Sequence, residues 1–347
     1  MREARVSDAD PHTDAVRREL SAGPRLAISK GLLTIGCATV LLFVVSSLVA
    51  SSSTSSTALR SMLQIASVLA VAGLGQMLVI QQGGIDLSVA GAISMTVVVV
   101  THIPDGNNGE LLPAVLIAVL FALGAGILNG LLVGVLSLNP IIATLGTNAL
   151  LYGADLGLSG GRPRITTKLL ASITGGTTAG IPNAVFFAVA ALVVVTVLLR
   201  RSVPGRRFEA IGANPQAARA VGLRVRGHQA SAYVWAQLLY CLAGVMLAGI
   251  TAQPSAFEGD SFLLISVAVV VLGGTSLLGG RGYPLATVIA ALFLEQLVQF
   301  VVALGVSTAV QTIVQAIALA IGVSLYTVNW KALRLRRPGL RGTATTA

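Results

Sequence analysis

The stretch LLPAVLIAVLFALGAGILNGLLVGVL, residues 111–136, runs for 26 residues without one charged side chain. A helix rises about 1.5 Å per residue and a bilayer's hydrocarbon core is about 30 Å thick, so this run is long enough to cross. Other apolar runs lie on both sides of it, and we read spans at about 31–50, 60–80, 86–101, 111–136, 141–158, 182–200, 229–250, 262–278, 284–304 and 307–328. The expected fold class is therefore an all-α integral membrane protein with about ten transmembrane helices. Residues 1–30 read as a tail, 31–328 as the membrane domain with one long polar loop at 200–228, and 329–347 as a basic tail. A cleaved signal peptide over 30–50 is the alternative for the first run, but that run exceeds the usual apolar segment of about 7–15 residues.

Composition excludes other classes. Hydrophobic residues make up 54% of the 347 and charged residues 10%, against about 25% charged in soluble domains. The net charge of +10 does not indicate nucleic acid, because the basic residues sit in short clusters between apolar runs. They report topology instead. With ten crossings and the N-terminus inside, 19 of the 23 Lys and Arg residues fall on the inner side, the exceptions being Arg60, Arg162, Arg164 and Lys168. The expected location is the inner (plasma) membrane with both termini cytoplasmic. Cys37 and Cys241 lie in apolar runs without a CxxC and read as packing residues, and no metal site is expected.

Several runs are interrupted by Gly pairs, at Gly73 and Gly75, Gly83-Gly84, Gly124 and Gly126, Gly273-Gly274 and Gly279-Gly280. Close helix packing explains any one of them; beside polar residues, such pairs read as broken helices lining a path. In the polar loop, Asn214 before Pro215 is a helix start and Gly222 a stop, which predicts one short helix on the inner face. Its small residues Ala217, Ala218 and Ala220 let another protein approach closely, and the arginines around it suit an acidic partner.

Four stretches carry a family resemblance. GGIDLSVAGAIS (83–94), NGLLVGVLSLNPIIATLGTNALLYG (129–153), GRRFEAIGANPQAARAVGL (205–223) and VAVVVLGGTSLLGGRG (267–282) resemble, in order and spacing, segments of the permease subunits of ATP-binding cassette sugar importers of the ribose and xylose group. The resemblance implies that the loop helix is a coupling helix docking in an ATPase subunit, with Gly212, Asn214, Pro215, Gln216, Ala217, Ala218, Arg219 and Gly222 in that contact. It departs at Gln216, where the family has Glu, and at Tyr152, where the family usually has Arg.

Candidate path or gate residues are Asp86, Ser88, Asn129, Asn148, Glu295, Gln299 and Gln311. Asp86 follows the Gly83-Gly84 break and reads either as a helix cap or as part of a gate near the inner mouth. Glu295 lies mid-span, where a carboxylate is costly unless it faces water or a partner, and Gln299 shares its helical face one turn on. Gln311 and Gln315 repeat that spacing, with Thr308 and Thr312 nearby, so both stripes suit a hydroxylated solute or, alternatively, bonds between helices. The chain has no GxxxxGK[ST] loop. The expected function is a non-enzymatic permease for a monosaccharide or similar polar solute, with no cofactor of its own, since ATP and Mg belong to the partner. The expected partners are an ATPase subunit, a second permease subunit, an extracytoplasmic solute-binding protein and membrane lipid. The alternatives are an ion-coupled secondary transporter using Glu295 or Asp86, a membrane-embedded enzyme, for which His12, His102 and His228 lie too far apart in sequence, and a branched-chain amino acid permease of the same superfamily.

Overall fold

The computed structural model describes residues 30–320 apart from 308, 315, 318 and 319. Both tails, His12, Thr308 and Gln315 lie outside the described residues. Helix α1 (Lys30–Val49) leads through a 3-10 turn to α2 (Ser56–Gln81), followed by α3 (Val89–His102) and α4 (Leu111–Asn129), which ends in a π-helical turn at Gly130–Val135. Next come α5 (Pro140–Ser159), a two-residue antiparallel hairpin, and α6 (Asn183–Arg201). The polar loop holds α7 (Val203–Ala213) and α8 (Pro215–Ala220). Then α9 (Val225–Ile250), α10 (Phe262–Leu272) and α11 (Pro284–Ala303) complete the bundle.

Two helices form its axis. Residues 66–82 of α2 and its C-cap are buried without exception, and so are residues 89–101 of α3. Around them α1, α4, α5 and α6 turn large apolar side chains outward, among them Val40, Leu120, Leu150 and Val194. An aqueous surface of that composition would be costly, so these faces belong against lipid or another apolar protein surface. Cys241 is buried on α9 as expected, but Cys37 is exposed, because α1 packs against the bundle along one side only.

The helices run alternately between two faces. On one, the end of α2 meets the α10–α11 connection and the polar loop through Gly280 N to Gln81 O (3.0 Å) and Gln82 Nε2 to Phe208 O (2.9 Å). On the other, the end of α3 meets the long connection before α6 through His102 Nε2 and Arg162 O (2.9 Å) and through the Arg164–Asp105 ion pair (2.6 Å). Among the described residues, seven helices are long and apolar enough to cross a membrane. The expected spans at 86–101 and 262–278 are corrected here: α3 has 14 residues and α10 has 11, short because the chain breaks at 82–88 and at 273–283. Of the expected tenth span, residues 309–314 are helical and most of the rest lies outside the described residues.

Close packing explains several Gly of the interrupted runs: a Cβ added at Gly73, Gly75, Gly84 or Gly273 would come within 2.8 Å of a neighbouring atom. A Cβ on Gly126 would lie 2.7 Å from Val234 Cα, and Gly130 and Gly134, one turn apart below it, leave equally little room before Ala230. The α4 backbone therefore rests directly on α9. Gly124, by contrast, faces open space.

Candidate functional site

The break between α2 and α3 builds the buried polar centre. Gly83 takes φ +79°, which ends α2, and the chain re-enters the bundle as Gly84-Ile85-Asp86-Leu87-Ser88. A new helix start carries orphan amides that need acceptors, and side chains from other helices supply them. Leu87 N donates to Thr144 Oγ1 (2.9 Å) and Gly91 N to Asn148 Oδ1 (2.7 Å), Thr144 and Asn148 being one turn apart on α5. Asp86 Oδ1 accepts from Ser88 N (2.9 Å) and from Ser88 Oγ (2.5 Å).

Asp86 does more than close a local turn. It is fully buried, and Gln237 Nε2 on α9 reaches its Oδ2 (3.3 Å) while Asn129 Nδ2 on α4 reaches its Oδ1 (3.5 Å). Those two amides also donate to Ser88 Oγ, at 2.6 and 2.8 Å. On the opposite side, Gln76 is satisfied when its amide nitrogen donates to Asp86 O (3.0 Å) and faces the Tyr240 hydroxyl, and its oxygen accepts from Asp86 N (3.2 Å). The network thus ties α2, the break, α4 and α9 together through neutral donors. Asn129 Oδ1, Gln237 Oε1 and the Tyr233 hydroxyl remain buried with no hydrogen-bond partner.

The structure brings Asp86, Ser88 and Asn129 into one cluster and places Asn148 beside it as a clasp on α3. Gln76, Gln237 and Thr144 escaped the sequence reading. The same reasoning that singled out Glu295, a polar side chain mid-span, finds Gln237 as well.

The polar loop contains two helices rather than one. In α7, Ser202 Oγ accepts from Gly205 N (2.9 Å), Pro204 occupies the first turn, and Gly205, Phe208, Ile211 and Gly212 face inward. In α8, Asn214 Oδ1 accepts from Gln216 N (3.1 Å) and Ala217 N (3.0 Å), and Gly222 ends the helix at φ +81°. Which side of α8 is free differs from expectation. Ala218 is 5% exposed and packs on Ile211, Leu223 and Val225, so it is part of the loop's own small core. Gly212 is also buried, a Cβ there lying 2.3 Å from Gln81 O. The open side consists of Ala213, Gln216, Ala217, Arg219, Ala220 and Val221.

Gly212 marks a seam between the loop and both breaks. Beside it run the Gln82–Phe208 and Gly280–Gln81 bonds, and Arg200 bridges Glu209 (2.5 Å) to Gly282 O (2.7 Å). A displacement of α7 therefore acts on residues 81–88 and 279–283 together. The Gln81 side-chain amide and Gln82 Oε1 are buried at this seam without partners.

Glu295 and Gln299 sit half-buried on α11, which packs on α1 and α2, and neither joins the Asp86 cluster. Gln296, next to Glu295, is fully buried with both amide atoms unpartnered. Gln311 bonds locally to Val306 O (3.1 Å). A groove of about 440 Å³ between α4 and α5 is lined by side chains such as Ile117, Leu120, Phe121 and Leu150, an apolar lining that fits a lipid chain or a helix better than a hydroxylated solute.

A polytopic helical bundle with broken helices around a buried polar centre, and a capped helix displayed on one face, defines a membrane transport subunit. Residues 58–323 match the family described as the branched-chain amino acid transport system / permease component. The chain is 34% identical over 241 residues to a probable ABC transporter permease protein of Sinorhizobium fredii, covering 69% of this chain and 72% of that protein. It is 36% identical over 238 residues to the ribose import permease protein of Bacillus subtilis (67% and 73% covered), and 34% identical over 236 residues to the galactofuranose transporter permease protein of Escherichia coli (66% and 68%). The chain belongs to this family of ABC transporter permeases. No solved structure matches it.

Proposed function

We propose that the chain is the permease subunit of an ATP-driven importer of a sugar or similar hydroxylated solute, coupled through the open side of α8 to a separate ATPase subunit. The observation that carries the reading is the seam: a capped helix exposed to a partner is joined, through α7, Gly212, Gln82 and Gly280, to both helix breaks. The similar proteins whose names give a solute name ribose, galactofuranose and allose, which favours a sugar over a branched-chain amino acid.

The mechanism follows from the contacts. ATP-driven closure of two ATPase subunits moves α8 with α7, and the seam transmits that movement to residues 81–88 and 279–283, changing which face the path opens to. Buried polar atoms left unpartnered typically cost about 1–3 kcal/mol each, so Gln81 and Gln82 favour a second arrangement in which they are paired. The α8 face carries Arg200, Arg201, Arg206, Arg207, Arg219, Arg224, Arg226 and Arg281, against four basic residues toward the other face, which supports a cytoplasmic α8 and an N-terminus on the same side. A second permease subunit and an extracytoplasmic binding protein complete the assembly, and ATP and Mg stay with the ATPase.

Uptake by the complex in cells should follow ATP and survive collapse of proton and sodium gradients. In intact cells, Ala220→Cys should resist an impermeant thiol reagent and Thr178→Cys should react. Uptake by this chain alone in ATP-free vesicles under an imposed ion gradient would replace this reading with a secondary carrier.

A further inference from the structure

From the face opposite α8, where Thr166 N donates to Ala252 O (3.4 Å), the connection between α9 and α10 re-enters the bundle and is clamped onto the first turns of α3. Gly259 N donates to Ser94 Oγ on α3 (2.9 Å), and a Cβ on Gly259 would meet Ala90 O at 2.0 Å. Glu258 Oε1 accepts from Ser255 N (2.9 Å), which closes the turn on itself. So held, the turn displays two side chains that a structural role leaves unexplained. Phe257 is 44% exposed and packs its ring against half-buried Tyr152 of α5, with centroids 5.6 Å apart at 55°, the one aromatic pair among the described residues. Asp260 is exposed and accepts a hydrogen bond from the Tyr152 hydroxyl.

One turn along α5 from Tyr152, Asp155 is fully buried, and both its carboxylate oxygens lack a partner in the described structure. A buried carboxylate without donors is costly, and polar groups kept in that condition are commonly kept for a ligand or for water.

We propose that Tyr152, Phe257 and Asp260 form a subsite part-way along the path that receives a neutral sugar ring, and this rests on the sugar reading above. A sugar has an apolar C–H face and a rim of hydroxyl groups. The Phe257 and Tyr152 rings offer an apolar surface for the first, and the Asp260 carboxylate, bonded among the described residues by Tyr152 alone, accepts from the second. The exchange swaps one neutral hydroxyl donor for another, so binding is weak and the solute is released inward easily. Tyr152 is thereby a specificity residue: an arginine there would hold Asp260 in a charge-assisted pair and leave it less free for a sugar hydroxyl.

The test uses the permease–ATPase complex without its binding protein in detergent, and the complete importer in cells. Saturation-transfer NMR with D-ribose, D-allose and D-galactose should show transfer to wild type. Phe257→Ala and Asp260→Asn should lower that transfer and uptake about three- to tenfold, the size expected from losing one aromatic face or the charge that strengthens one accepted hydrogen bond. Phe257→Tyr, which keeps the ring, should retain most of both. A purely structural role for the Phe257 ring would leave Asp260→Asn at wild-type transfer, since that change preserves the size of an exposed side chain. Co-purification of the ATPase should be unchanged throughout. If Phe257→Ala fails to insert, Asp260→Asn on its exposed turn decides the matter. Wild-type transfer and uptake in Asp260→Asn would overturn the subsite while leaving the importer reading intact. A wild-type complex that takes up leucine and none of the three sugars would overturn the sugar reading itself.

Discussion

Gly212→Ala tests the seam with a single methyl group. The new Cβ would stand 2.3 Å from Gln81 O and 3.1 Å from Gly280 O, whereas ordinary contact begins at 3.4 Å. Both obstacles are main-chain carbonyls, so no side chain can swing away. Either α7 lifts by about 1 Å or the Gly280–Gln81 bond (3.0 Å) opens, and overpacking of this kind costs about 1–3 kcal/mol. That cost falls on the seam, because the bulk of the membrane core lies elsewhere. The variant should therefore insert normally and retain its ATPase, but uptake per ATP hydrolysed should fall about five- to a hundredfold if the whole cost opposes the coupled state, at roughly 1.4 kcal/mol per factor of ten. Gly227→Ala is the control, since a Cβ there meets nothing within 4 Å and its φ is ordinary. Proteoliposomes loaded with ATP give uptake and hydrolysis from the same sample. Wild-type stoichiometry in Gly212→Ala would refute transmission through this seam.

Ala217→Trp, on the open side of α8, should reduce ATPase co-purification with the loop still folded, whereas Ala218→Trp should disrupt the Ile211–Ala218–Val225 core and expose the loop to protease; equal effects on both would show that α8 does not dock by its open side. Asp86→Ala strips acceptors from Ser88, Gln237 and Asn129 and should lower thermal stability of the solubilised complex by about 2–4 kcal/mol, whereas Asp86→Asn, which still accepts from Ser88 and lets Gln237 turn its unpartnered oxygen toward the new amide, should cost much less. Gln82→Ala, at the break before α3, and Ser94→Ala, within it, should be non-additive in uptake by about 0.5 kcal/mol or more, and simple additivity would mean that α3 does not link the seam to the Gly259 turn.

The span pattern was legible because apolar runs of bilayer length have few other uses, and Asn214-Pro215 with Gly222 was legible because caps are local chemistry. Helix α7 was not, since Pro204-Gly205 reads as a turn until Ser202 is seen to cap it; the inward set Phe208, Ile211 and Gly212 has helical spacing but is only three residues long. Nor does a six-residue helix such as α8 reveal from its sequence which alanine faces inward, so Ala218 seemed as available as Ala217. The partners of Asp86 were hidden for a different reason. Gln237 lies 151 positions away and Asn129 43, and their meeting depends on how α9 and α4 pack, which no local pattern records.

Why α3 can be both short and rigid follows from where its ends are satisfied. A helix of 14 residues spans about 21 Å, less than the hydrocarbon core, so both of its termini lie where water cannot be relied on to meet their polar groups. At the inner end, Thr144, Asn148 and Asp86 accept from Leu87, Gly91 and Ser88. In the second turn of α3, Ser94 holds the Gly259 turn, and at the outer end the His102 ring bonds Arg162 O. The attachments reach α5, the break, the Gly259 turn and the long connection before α6, and all but the last involve buried or half-buried polar groups. Bending α3 would break several attachments at once, whereas moving it as a body with its attached turns keeps them all. The less costly response to a push at residues 81–88 is thus a shift of α3 that carries the 257–260 turn with it, so that the seam at the inner face and the aromatic cluster within the bundle are reached by the same displacement.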